Sequence, residues 1–135
     1  PETPRVRCCF DSKEKMLEVV RRIKEEDLGL SVVLSGLNED ILDMCQALDI
    51  KPHSVNYSLG VHGATELLPP EEVLELITMC GHGMISKDLV VKAIEEVKKG
   101  KKSPYDAAVM VGQPCVCGIF NVSRAEKLLS KYIQD

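Results

Sequence analysis

Four side chains with soft donor atoms fall in two short glycine-rich stretches. Cys80-Gly81-His82-Gly83 offers a thiol and an imidazole two positions apart, and Pro114-Cys115-Val116-Cys117-Gly118 offers two thiols at the same spacing. Together they read C-x-H…C-x-C. Glycine reaches positive φ without a Cβ clash, so Gly81, Gly83 and Gly118 shape tight turns that can aim several side chains at one centre. Pro114 stiffens the entry to the second stretch. Exposed backbone N–H groups in such turns also hydrogen-bond thiolate sulfur and tune a bound metal.

Four donors of this kind suit Zn²⁺ as Cys₃His. They also suit an iron–sulfur cluster, with His82 as a ligand or hydrogen-bonding beside it. The single residue between Cys115 and Cys117 departs from the usual two-residue zinc knuckle and from ferredoxin-type spacing. Two other readings stay open. A C-x-C pair can form a strained, easily reduced disulfide, with His82 lowering a thiol pKa, as in a thiol oxidoreductase. Alternatively, the cysteines are small apolar fillers, and the chain is an interaction subunit.

The remaining cysteines carry less chemistry. Cys45 falls on the apolar stripe of a helix, and Cys8 alternates with Val6 and Phe10 on the inward face of a strand. His62, in Gly60-Val61-His62-Gly63, echoes the later Gly-His-Gly and is a further ligand candidate or a surface group. His53 follows Pro52 in a turn. No P-loop, nucleophile elbow or His-Glu-x-x-His motif occurs.

These residues need elements to position them. Alternation over Arg5–Phe10, the apolar run Leu30–Leu34 and the run Ser54–Leu59 predict three strands. Between them lie two helices. The first is capped by Asp11 or Ser12, with Met16, Val20 and Ile23 on one stripe. The second is capped by Asn38, with Ile41, Met44, Cys45 and Leu48 on its stripe. The expected fold class is therefore α/β: a three-stranded β-α-β-α-β half with a parallel sheet, over 1–63, followed by a helical half over 64–135, in a single domain. Ser35-Gly36 would then sit at a strand C-terminus, the usual ligand turn of an open α/β sheet, and His62 is grouped with it as a possible ligand residue. In the second half, Pro69-Pro70, Ser86, Ser103-Pro104 and Ser123 mark four helix starts. The order of elements shows no fixed-period repeat.

Composition narrows the classes. The 135 residues carry 17 Lys and Arg against 21 Asp and Glu, net −4. Residues 1–63 hold 8 basic and 11 acidic side chains and the rest 9 and 10, so neither half carries a basic footprint for nucleic acid. The run Lys98–Lys102 reads as a solvated helix end. No apolar run reaches the ~18 residues of a membrane span. No signal-peptide pattern opens the sequence. The expected setting is a reducing cytoplasm, where six cysteines do not make a disulfide framework. A protein partner docked by the helical half is also expected.

The segment "HGMIS..LV" at 82–90 followed by "PCVCGIFN..RA" at 114–125 resembles a cysteine-containing methanogen-specific domain of the methanogenesis marker type, marker domain 9. It covers the last third to half of the chain. The resemblance implies an anaerobic archaeal cytoplasm and a role linked to methanogenesis, such as metal-centre or cofactor maturation. It carries over Cys80, His82, Cys115 and Cys117, with Gly81, Gly83, Pro114 and Gly118 around them, and supplies no established activity.

Overall fold

A computed structural model describes residues 6–133. It contains six α-helices and a single 3₁₀ turn among those residues, and no strand. The chain forms two compact units. One comprises Ser12–Val61; the other comprises the residues up to Asp11 and those from His62 onward.

The Ser12–Val61 unit holds α1 (Lys13–Glu26) and α2 (Asn38–Ala47). Ser12 Oγ accepts the Lys15 N–H at 3.2 Å and caps α1. α2 begins instead after Leu37, with no side-chain cap, so Asn38 is its first residue rather than its cap. Lys13, at the start of α1, reaches Asp40 at the start of α2 (2.8 Å). Lys24, near the end of α1, donates to the carbonyls of Leu48 and Asp49 at the end of α2 (2.5 and 3.1 Å). Start meets start and end meets end, so the two helices run parallel.

Parallel neighbours explain why the sequence reads as α/β. The chain must return along the length of a helix about 20 Å long before α2 can begin. The apolar stretch 28–37 makes that return without forming a strand. Leu30 is 62% exposed and Val33 87% exposed. Ser54–Leu59 likewise forms no strand, with Leu59 90% exposed. The expected three-stranded β-α-β-α-β half is therefore corrected to a pair of parallel helices with irregular connections. β-propensity records fit to a half-buried pleated surface, and a strand exists only once a second segment accepts its ladder. Residues 6–10 also form no strand, and Val6 is 95% exposed. Arg5 lies outside the described residues. Cys8 and Cys9 are exposed, so Cys8 does not face a core. Cys45 and Met44 are buried.

The other unit holds the larger core. A 3₁₀ turn (Thr65–Leu67) leads to α3 (Glu71–Ile77), α4 (Lys87–Lys98), α5 (Pro104–Gly112) and α6 (Val122–Ser130). α5 packs against α4 and α6, and α3 packs on α4. Ala93, Ala107, Ala108 and Ala125 are completely buried at these crossings, and their small side chains permit close approach of the helix axes. Val73, Leu76, Val90, Ile94, Val111 and Leu129 fill the space between. Ser86 Oγ caps α4 by accepting the Leu89 N–H, and Ser103 Oγ caps α5 by accepting the Asp106 N–H. α6 is capped by Asn121, not by Ser123: Asn121 Oδ1 accepts the Arg124 N–H at 2.9 Å. Among the described residues, no helix is long and apolar enough to cross a membrane.

Candidate metal centre

Cys80 and Cys115 belong to the core of this second unit, where they close one end of the packed helices. Each follows a helix by three residues, after Ile77 at the end of α3 and after Gly112 at the end of α5. Each donates its N–H back to that helix end: Cys80 to the Ile77 carbonyl at 3.2 Å, Cys115 to the Gly112 carbonyl at 3.0 Å. Each then opens a four-residue turn. Gly83 N–H closes on the Cys80 carbonyl at 3.0 Å, and Gly118 N–H closes on the Cys115 carbonyl at 2.9 Å. Both closing glycines are left-handed, with φ of 66° and 71°. Three residues later comes the N-cap of the next helix, Ser86 or Asn121.

The two helix–turn–helix segments therefore match position for position at a fixed offset, 35 residues from His82 to Cys117. The buried positions also correspond: Val73 with Ala108, Leu76 with Val111, Ile85 with Phe120, Val90 with Ala125, and Ile94 with Leu129. The sequence order alone suggested no repeat. Few of the matched positions are identical, chiefly Cys80/Cys115 and Gly83/Gly118. The correspondence lies in turn chemistry and burial, and the shared C-x-(H/C)-G frame was its signal in the sequence.

The two turns meet. Cys115 Sγ lies 3.8 Å from Cys117 Sγ within one turn. Cys117 Sγ lies 3.6 Å from His82 Nδ1 across the two turns. Cys80 and Cys115 are near enough for each thiol to influence the other's ionisation. Cys115, Cys117 and His82 thus form a continuous series of side-chain contacts, with Cys80 near Cys115. Cys80 and Cys115 are buried, Cys117 is half-buried and His82 is exposed, so the cluster runs from the core to the surface. All six cysteines are free thiols.

The surrounding backbone treats the two buried sulfurs differently. The Met84 N–H, with those of His82 and Gly83, points at Cys80 Sγ, and these donors outweigh burial and hold its pKa below the ordinary thiol value. Burial pushes the Cys115 thiol up, opposed by the Phe120 N–H, while its contacts to Cys80 and Cys117 add to the rise. Negative charge therefore settles first on Cys80.

The shaping residues divide by role. Gly83 and Gly118 are needed for φ. Gly81 has no positive φ and open space around it, so its lack of a side chain is not required by backbone or contact. Pro114 accepts the Val116 N–H at 2.9 Å and tightens the approach to Cys117. Gly112 lets the buried Phe120 ring rest on the end of α5: a Cβ there would stand 2.7 Å from Phe120 Cδ1. Asn121 also ties the site to the incoming chain, donating from Nδ2 to the Phe10 carbonyl at 3.0 Å.

Ser35 and Gly36 belong to the Ser12–Val61 unit and line a groove between its helices and loops. His62 belongs to the other unit. Without a sheet there is no strand C-terminus for Ser35-Gly36 to cap, so the premise for a ligand turn there is gone.

Among the described residues, no group of three or more His, Cys, Asp or Glu side chains is gathered as a metal ion would hold it. The donors touch pairwise, as protonated thiols do. Rotation about χ1 re-aims each sulfur without moving the backbone. No protein-family model, curated protein or solved structure matches the chain.

Proposed function

We propose that this chain is a metal-binding protein whose ligands are Cys80, His82, Cys115 and Cys117, acting as an accessory or maturation factor for a larger system. One observation carries the reading: two equivalent C-x-(H/C)-G turns, far apart in sequence, meet through their donor side chains. A buried thiol pair would satisfy packing alone. Packing does not call for an imidazole against a thiol at the surface end, nor for backbone N–H groups aimed at sulfur. Thiolate, imidazole and N–H donors together are the chemistry of a Zn²⁺ or iron–sulfur site.

An accessory role is supported by the surface beside the donors. Val116, inside the second turn, is 86% exposed, and Met84, just after the first, is 51% exposed. Apolar side chains at the rim of a metal site suit contact with a partner protein. The link to methanogenesis rests on the resemblance of 82–90 and 114–125 alone.

A second reading is favoured by one distance. Cys115 and Cys117 sulfurs at 3.8 Å need little movement to form a disulfide, which would make the pair a thiol oxidoreductase centre. Thiol titration separates the two. If the protein binds metal, the cluster thiols are protected by Zn²⁺ and released by a chelator. Loss of two thiols on oxidation, reversed by a dithiol and indifferent to chelator, would replace the metal reading with the redox one.

A further inference from the structure

We infer that the second turn is a thiol–disulfide exchange site with divided roles: Cys117 attacks an external dialkyl disulfide, and Cys115 resolves the mixed disulfide that results. The inference rests on the redox reading above and assigns the part of each thiol and the class of substrate. It needs the sulfurs of one turn only.

Spacing is the first observation. Cys115, Val116, Cys117 and Gly118 form a turn closed by the Gly118 N–H on the Cys115 carbonyl at 2.9 Å. The Cys115 and Cys117 sulfurs stand 3.8 Å apart there. A disulfide brings two sulfurs to about 2 Å. Rotation about the two χ1 bonds closes that gap with the backbone left in place.

Access is the second, independent observation. Cys115 is 6% exposed and Cys80 4%, whereas Cys117 is only half-buried. The Cys117 sulfur lies 3.6 Å from Nδ1 of His82, which is itself exposed. Val116, between the two cysteines, is 86% exposed, so an incoming molecule meets this turn at the surface. Cys80 has a more acidic thiol than Cys115, but burial keeps an external disulfide from it. Access therefore selects the attacking sulfur, and proximity selects the resolving one.

The exchange balances in two steps. Cys117 gives its proton to solvent, and its sulfur attacks one sulfur of R–S–S–R. A mixed disulfide between Cys117 and R–S forms, and the departing thiolate takes up a proton as RSH. Cys115 then gives up its proton and attacks the Cys117 sulfur. The Cys115–Cys117 disulfide forms, and the second R–S leaves and is protonated. Two protein thiols are oxidised, and one external disulfide is reduced to two thiols. The external disulfide belongs to a small thiol or to another protein.

The probes are hydroxyethyl disulfide and a disulfide-linked pair of short apolar peptides. Each is added without oxygen to reduced full-length protein stripped of metal by a chelator. Cys8 and Cys9 are replaced by serine in every sample, because both are exposed. Two of the four remaining thiols are expected to be lost, and peptide mapping is expected to find a Cys115–Cys117 disulfide that a dithiol reopens. Early quenching with acid is expected to trap half of the probe on Cys117, and the Cys115→Ser variant is expected to hold it there. Faster reaction with the peptide pair assigns a protein source of the disulfide, and faster reaction with the small probe assigns a small-molecule source. A first adduct on Cys115 or Cys80, followed by the same Cys115–Cys117 disulfide, would overturn the divided roles while leaving the redox reading standing. Four thiols that persist through both treatments would overturn both.

Discussion

His82 Nδ1 meets Cys117 Sγ at 3.6 Å although 35 residues separate them, and the two occupy the same position in two matching turns. An imidazole and a thiol are the two soft donors a tetrahedral site exchanges most readily. His82→Cys therefore keeps four donors and makes the turns alike, and metal retention against a chelator is expected to persist. His82→Ala leaves three donors and admits water, and its retention is expected to fall about ten-fold or more, a loss of about 1.4 kcal/mol. Equal retention by the alanine variant and the parent would remove His82 from the ligand set.

The glycines give a graded test of the turns. Gly83 and Gly118 sit at φ of 66° and 71° with open space where a Cβ would go, so alanine there meets only backbone strain. Each Gly→Ala change is expected to cost about 1–2 kcal/mol by denaturant unfolding. Gly81→Ala, with neither positive φ nor a close neighbour, is expected to be neutral or slightly stabilising. Gly112→Ala pushes a Cβ to 2.7 Å from the Phe120 ring and is expected to cost about 1–3 kcal/mol. A Gly81→Ala variant as unstable as Gly83→Ala would contradict the turn geometry.

Ionisation of the metal-free protein should be ordered. The Cys80 pKa lies below the ordinary value of 9.0, chiefly through the Met84 N–H, and the Cys115 pKa lies above it, chiefly through burial. Stability from the Cys80 thiolate is fully present above pH 9.0 and is lost as pH falls through its folded pKa. Stability from the neutral Cys115 thiol is fully present below pH 9.0 and is lost as pH rises through its folded pKa. In an ultraviolet thiolate titration, Cys80→Ala should remove an early step and Cys115→Ala a late one. The reverse order would contradict the N–H donors assigned to Cys80.

Much of the helical half was legible because its signals are local. Ser86 and Ser103 cap the helices they precede there, as Ser12 does in the first half, and Val90, Ala93, Ile94 and Val97 form the buried stripe their spacing predicts. Asn121, not Ser123, caps α6, and Phe120 beside it is buried in the core. The α/β expectation failed where the signal was not local. Leu30–Leu34 and Ser54–Leu59 have strand composition, but pairing depends on partners that no short window reveals. For the candidate site, the donor types and the glycines could be read directly from the sequence. The contact between the turns could not, because it depends on how α3, α4, α5 and α6 pack. Only the C-x-(H/C)-G frame marked the matching turns in the sequence; the rest of their likeness is in hydrogen bonds and φ, which Gly83 and Gly118 show only after folding.

The most direct measurement is the metal content of anaerobically purified protein, compared with that of a Cys115→Ser/Cys117→Ser variant. The account predicts bound metal in the parent, with little or none in the variant and a lower unfolding midpoint. A parent protein that stays metal-free after reconstitution, with a variant of unchanged stability, would contradict it.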